Sequence, residues 1–152
     1  MTQPTVLITG ANRGLGLKFT ELYAKKKFNV LATCRTPHNA DGLLELADKN
    51  NQISVLPLDV GIYEEVENLA ETIKASPIDI LINNAGIWRS STLGSINRQA
   101  WLESFTINSI APYEVTQALL PNIKKGSLKK VVSITSNCLS YTSDAADEED
   151  SV

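Results

Sequence analysis

Apolar residues follow two rhythms along this chain: short, nearly continuous runs alternate with longer stretches in which they recur every three or four positions. The runs Val6 to Ile8, Phe28 to Cys34, Ile53 to Leu58, Ile78 to Ile82 and Val131 to Thr135 end at Gly, Pro, Asn, Asp or Ser and predict buried strands. Between the first two, Leu15, Phe19 and Leu22 predict a helix packed through that stripe, with Lys18, Glu21, Lys25 and Lys26 on its other faces. Leu43, Leu46 and Ala47 predict a short helix over Asp41 to Asp48, capped by Asn39 or Asp41. Val66, Leu69, Ala70 and Ile73 predict the buried stripe of a helix from about Ile62 to Ala75. From Asn97 to Lys125 a long helical pattern sets Trp101, Phe105, Asn108, Pro112, Val115 and Leu119 near one face. Pro112 should kink it, because an interior proline removes a backbone hydrogen bond and crowds the preceding turn. Gly126 closes it after Lys124 and Lys125.

Strands and helices in strict alternation imply a parallel sheet with helices on both faces, a doubly wound α/β arrangement of about five strands. Its first strand runs into Thr9-Gly10-Ala11-Asn12-Arg13-Gly14-Leu15-Gly16. Gly10 lets the chain leave the strand in a tight turn, Gly14 lets main chain approach a phosphate, and Gly16 lets the helix pack on its strand. The first-turn N–H groups of the following helix attract an anion, and a dinucleotide pyrophosphate is the usual guest. The glycine spacing differs from Gly-x-Gly-x-x-Gly, and no Gly-Lys-Ser/Thr ending marks a triphosphate loop. In a sheet of this kind the ligand lies where strand order reverses, beside that turn.

Composition narrows the rest. The 152 residues, 43% of them hydrophobic, suit one domain over 1–140, and the acidic stretch 141–152 has no apolar periodicity and reads as a disordered tail. A net charge of -3 without a basic stripe argues against nucleic acid. The apolar runs are too short to span a membrane, and the first strand begins too early to leave room for a leader, so a cytoplasmic protein is expected. Cys34 and Cys138 are too few for a metal cluster and read as buried, reduced thiols; no metal site is expected. His38 is the only histidine and lies in a Pro-rich turn, which argues against a Ser-His-Asp triad.

Charge also bears on the ligand. A site selective for NAD places an acidic residue at the end of the second strand, whereas a 2'-phosphate needs a cation. Here that strand ends in Thr33 and Cys34, with Arg35 next and Arg13 in the glycine turn, so NADP (NADPH) is expected in preference to NAD.

With Thr9 in front of its glycines, the turn resembles the cofactor motif of the short-chain dehydrogenase/reductase family, and further motifs follow in that family's order. Asp59-Val60 after the third strand resembles its adenine-contacting pair, and Asn83-Asn84-Ala85-Gly86 resembles the close of its fourth strand, where small residues let main chain run near the cofactor. The resemblance implies a three-layer α/β/α Rossmann fold and hydride transfer between a nicotinamide and a small-molecule carbonyl or alcohol. It also implies that Ser136 hydrogen-bonds the substrate oxygen and that Asn108 holds a water in a proton relay. One departure stands out. The family's Tyr and Lys, four residues apart and a little over a dozen residues beyond the serine, are absent: Tyr141 is too close to Ser136 and Ala145 stands where its Lys would be. Leu139 also replaces a common glycine. The expectation is therefore the cofactor-binding N-terminal portion of a reductase, with little turnover of its own. The alternatives are a catalytically inactive NADP-binding or interaction module and a non-functional truncated product. Relatives often assemble through the long helix, so a homo-oligomer is also implied.

Overall fold

In the computed structural model, which describes residues 3–89 and 94–135, the chain runs β1 (Thr5–Ile8), α1 (Gly14–Lys25), β2 (Asn29–Cys34), α2 (Asp41–Asp48), β3 (Ile53–Pro57), α3 (Tyr63–Thr72) and β4 (Ile80–Asn83). Then come α4 (Arg98–Phe105), a π-helical turn (Thr106–Ile110), α5 (Ala111–Ala118), α6 (Leu120–Lys125) and β5 (Lys130–Ser133). A 3-10 turn (Pro37–Asn39) precedes α2. The strands form one parallel sheet in the order β3-β2-β1-β4-β5, with Leu7 of β1 in register with Leu31 of β2 and Leu81 of β4.

Alternation along the central strands divides the core into two layers. Val6, Ile8, Ile80 and Ile82 pack with Ala24 of α1 and Leu43 of α2 on one side. Leu7 and Leu81 pack with Val66 and Leu69 of α3, Ala111 and Val115 of α5 and Ile123 of α6 on the other. Both faces are covered, which is why the central strands read as unbroken apolar runs. The three-layer α/β/α arrangement expected from the alternation is the one observed.

Several local expectations are corrected. The stripe of α1 differs from Leu15, Phe19 and Leu22: Phe19 packs against the core with Leu17 and Tyr23, but Leu15 is 59% exposed and Leu22 is 42% exposed, while Gly16, Thr20 and Ala24 are buried. Small residues carry the contact because they let the helix axis approach the sheet, and Thr20 Oγ1 donates to the Gly16 carbonyl within the helix. Neither Asn39 nor Asp41 caps α2; its N-cap is Ala40, without a side-chain cap, and Asp41 is already helical. The long helix is divided rather than simply kinked. Ala111 N–H reaches back to the Thr106 carbonyl, five residues away, and Pro112 then sits in the first turn of α5, where a missing N–H is tolerated. The expected common face does not hold along the divided helix: Trp101 and Phe105 are 54% and 60% exposed while Val115 and Leu119 are buried. The expected tail at 141–152 lies outside the described residues. No helix among the described residues is long and apolar enough to cross a membrane.

Asp79, just ahead of β4, ties three segments together. It is 5% exposed, accepting the Thr5 N–H at 2.8 Å and the N–H groups of Ser127 and Leu128 at 2.7 and 3.2 Å. Burial alone would raise its pKa, but these three donors outweigh burial and hold the carboxyl below its ordinary value. A depressed folded-state pKa contributes stability that is present above the unfolded value of about 3.9 and is lost as pH falls through the lower folded value. Asp79→Asn sets an amide N–H against one of these donors and should lower the unfolding free energy by about 2–3 kcal/mol at neutral pH. The gap from wild type should narrow in acid, as read from urea melts at pH 7 and pH 3.

Candidate functional site

At the carboxyl ends of the strands, where the order reverses between β1 and β4, lies a cavity of about 550 Å³. Four stretches build most of its wall: the glycine turn, the end of β2, the residues leaving β3 and the residues leaving β4.

The glycine turn holds its shape through the loop after β4. Asn84 N–H and Ala85 N–H both donate to Thr9 Oγ1 at 3.0 Å. In return, Asn84 Nδ2 donates to the carbonyls of Thr9 and Gly10 at 2.9 and 3.0 Å. Such close approach leaves no room at Gly16, where an added methyl would lie 2.3 Å from the Gly10 carbonyl oxygen and 2.5 Å from Asn84 Nδ2. Gly14 is required for a different reason. Its φ is +55°, which side chains disfavour, and nothing lies within 4 Å of where a methyl would stand. Gly14 is the first residue of α1, whose N-cap Arg13 is extended and makes no side-chain cap. First-turn N–H groups, an open cradle and no acidic residue in the first turn suit an anion.

Gly10, Asn12, Arg13, Gly14 and Leu15 line the cavity, as do Arg35, Asp59, Val60, Ala85 and Gly86. The exposed Leu15 thus belongs to the cavity wall rather than to the core. Thr9 and Gly16 stand behind that wall as its supports. Asn83 also stands behind it, where its Nδ2 reaches Thr116 Oγ1 at 3.1 Å and the Pro112 carbonyl at 3.3 Å; its Oδ1 has no partner among the described residues. Asn108 does not line the cavity either. Its Oδ1 accepts the Ile87 N–H at 2.9 Å and its Nδ2 donates to the Ile87 carbonyl at 2.8 Å, so the side chain clasps the loop after β4 from both sides. Ser136, like Cys138, lies outside the described residues.

Cys34 and Arg35 sit together at the β2 end of the cavity. Burial pushes the Cys34 thiol up, partly offset by a hydrogen bond from the Thr36 main chain, so it remains a protonated wall residue. Arg13 and Arg35 make no ion pair among the described residues. No group of three or more His, Cys, Asp and Glu that could hold a metal occurs among the described residues. Sequence reasoning missed the second asparagine of the Asn83-Asn84 pair as a site residue, along with the wall positions Thr36, Asn39, Ile87 and Ile107. The Asn84 role had a signal in its position two residues before Gly86, at a strand end that must meet another loop; the wall positions had none.

A doubly wound parallel sheet with an anion-ready glycine turn at its switch point defines a Rossmann-type nucleotide-binding fold. Comparison with known proteins narrows that class. The short chain dehydrogenase family model matches residues 4–145, and the chain belongs to that family. It is 30% identical over 140 residues to an uncharacterized oxidoreductase of Bacillus subtilis, YusZ, covering 90% of this chain and 50% of that protein. It is similar in structure to an NADPH-bound carbonyl reductase from chicken fatty liver, with 37% identity and a TM-score of 0.75 over 82% of this chain and 53% of that one. A carbonyl reductase from Pseudomonas aeruginosa PAO1 in complex with NADP matches at 29% identity and a TM-score of 0.75, over 79% of this chain and 56% of that one. The chain spans about half the length of these relatives.

Thr9→Val keeps the shape of the side chain and removes the acceptor shared by Asn84 and Ala85. With both N–H groups left unpaired, the unfolding free energy should fall by about 2–4 kcal/mol, whereas Thr9→Ser should stay within about 1 kcal/mol of wild type in the same urea melts.

Proposed function

We propose that the chain is the cofactor-binding half of an NADP(H)-dependent oxidoreductase that moves hydride between the nicotinamide and a small carbonyl or alcohol compound. The observation that carries the reading is the pair of cavity-lining arginines, Arg13 and Arg35, without an ion-pair partner among the described residues and with no carboxylate at the end of β2. A planar guanidinium grips phosphate through two parallel hydrogen bonds and stays charged at any working pH. The open cradle at Gly14 and the first turn of α1 fit the pyrophosphate, and Asp59 with Val60 N–H fits the adenine edge. The dinucleotide, when bound, supplies the hydride. The chicken and Pseudomonas carbonyl reductases named above, described with NADPH and with NADP, support the same cofactor.

In this reading Asn108 holds the Ile87 main chain in place at the nicotinamide end and steadies a relay water, while Ser136 donates a hydrogen bond to the substrate oxygen and polarises it toward hydride. Substrate binding and turnover belong to the whole protein. A cytoplasmic setting is part of the same proposal.

The test is a fluorescence titration of the chain with NADPH and with NADH. Wild type should favour NADPH. Arg35→Asp should weaken NADPH roughly 10- to 100-fold, the scale of losing a charge-assisted bidentate contact, and should relatively favour NADH because it adds a ribose acceptor. Equal affinities of wild type and variant for both cofactors would overturn the assignment.

A further inference from the structure

Glu65, in the first turn of α3, is used in a way that its helix does not require. A glutamate at the third helical position ordinarily reaches back to the N–H of the N-cap. Here the N-cap is Ile62, and its N–H already donates to the Asp59 carbonyl at 3.1 Å. Glu65 Oε2 passes over it and accepts the Asp59 N–H at 2.6 Å, at the point where the chain leaves β3. Asp59 Oδ1 turns inward and accepts the Gly61 N–H at 2.9 Å. The backside is closed by Ile107: a methyl on Gly61 would lie 3.3 Å from Asp59 Oδ1 and 3.4 Å from Ile107 Cγ1.

The strap from Asp59 to Ile62 is thus tied at its start by Glu65, braced within by the Asp59 side chain, and packed from behind. Among the described residues, this leaves Asp59 Oδ2 and the Val60 N–H without hydrogen-bond partners, on two residues that line the cavity between Leu58 and Ile107. An acceptor and a donor on adjacent residues beside apolar walls match the amino group and ring nitrogen of an adenine edge. Their spacing depends on the orientation of the peptide plane between Leu58 and Asp59, which carries the Asp59 N–H.

We propose that Glu65 is a positioning residue for adenine recognition, acting through Asp59: its carboxylate fixes the peptide that aims Asp59 Oδ2 and Val60 N–H at the base. The proposal rests on the dinucleotide reading above. A charge-assisted hydrogen bond from a main-chain N–H is strong enough to hold one loop geometry among several, and a ligand then binds without first ordering the strap.

The test is calorimetric titration with NADPH and with adenosine 2',5'-bisphosphate, well below the melting temperature. If wild type binds neither, the dinucleotide reading falls and takes this proposal with it. If wild type binds both, Glu65→Ala should weaken each about tenfold, the size expected for losing one charge-assisted hydrogen bond, and Glu65→Gln, which keeps an acceptor, should restore affinity to within about twofold. Adding Glu65→Ala to Asp59→Ala should cost clearly less than Glu65→Ala costs in wild type, because only the aim of the Val60 N–H is then left to lose. Unchanged affinity in Glu65→Ala overturns the proposal, as do additive losses in the double variant or failure of the glutamine to rescue. Should the alanine variant not fold, Glu65→Asp, which keeps the charge but is a methylene too short, is read in its place.

Discussion

The site depends on two loops approaching within main-chain contact distance. Thr9 Oγ1 accepts two N–H groups from the loop after β4, and Asn84 Nδ2 returns two bonds to the loop after β1, so four hydrogen bonds cross the switch point of the sheet. The layout of the carboxyl end of the sheet is set by that clasp. It excludes any side chain at Gly16, brings the first turn of α1 against the cavity, and sets the loop from Ala85 to Ile87 at a fixed height beside it. Buried donors and acceptors that satisfy each other in this way specify one geometry, because any displacement leaves several polar groups unpaired together.

A second layer of polar contacts secures each loop to the framework. Asn108 clasps Ile87 from the π-helical turn, Asn83 anchors the end of β4 to Pro112 and Thr116, and Asp79 gathers the start of β1 and the approach to β5. Asn108 shows the chemical advantage of an amide for this work: one short, uncharged side chain offers a donor and an acceptor, and binds the N–H and the carbonyl of one residue at once. The cavity itself carries positive charge, with Arg13 and Arg35 in its lining.

The strands, their parallel arrangement and the glycine turn beside the cavity were legible in the sequence, because burial on both faces imprints continuous apolar runs and glycine spacing marks a tight turn at a strand end. Arg13, Arg35, Asp59, Val60 and Gly86, all expected to bind the cofactor, line the cavity. The contact stripe of α1 was not legible, since hydrophobicity favours Leu15 and Leu22 whereas close approach of helix to sheet favours Gly16, Thr20 and Ala24. The π-helical turn escaped because Pro112 signals a disturbance without saying whether the ladder bends or gains a residue. The reach of Glu65 to Asp59 escaped because it joins a helix start to a strand exit across a turn whose path spacing does not encode.

The π-helical turn gives neighbouring positions separate duties. In an ordinary helix successive side chains diverge by about a hundred degrees, which limits how far apart their targets can be along one groove. With the ladder widened between Thr106 and Ile110, Ile107 backs the strap at Gly61 while Asn108 grips Ile87, so two adjacent residues reach the loops after β3 and after β4. A one-residue deletion that restored the regular ladder would turn one of these two side chains away from its loop while leaving both loops' own residues intact.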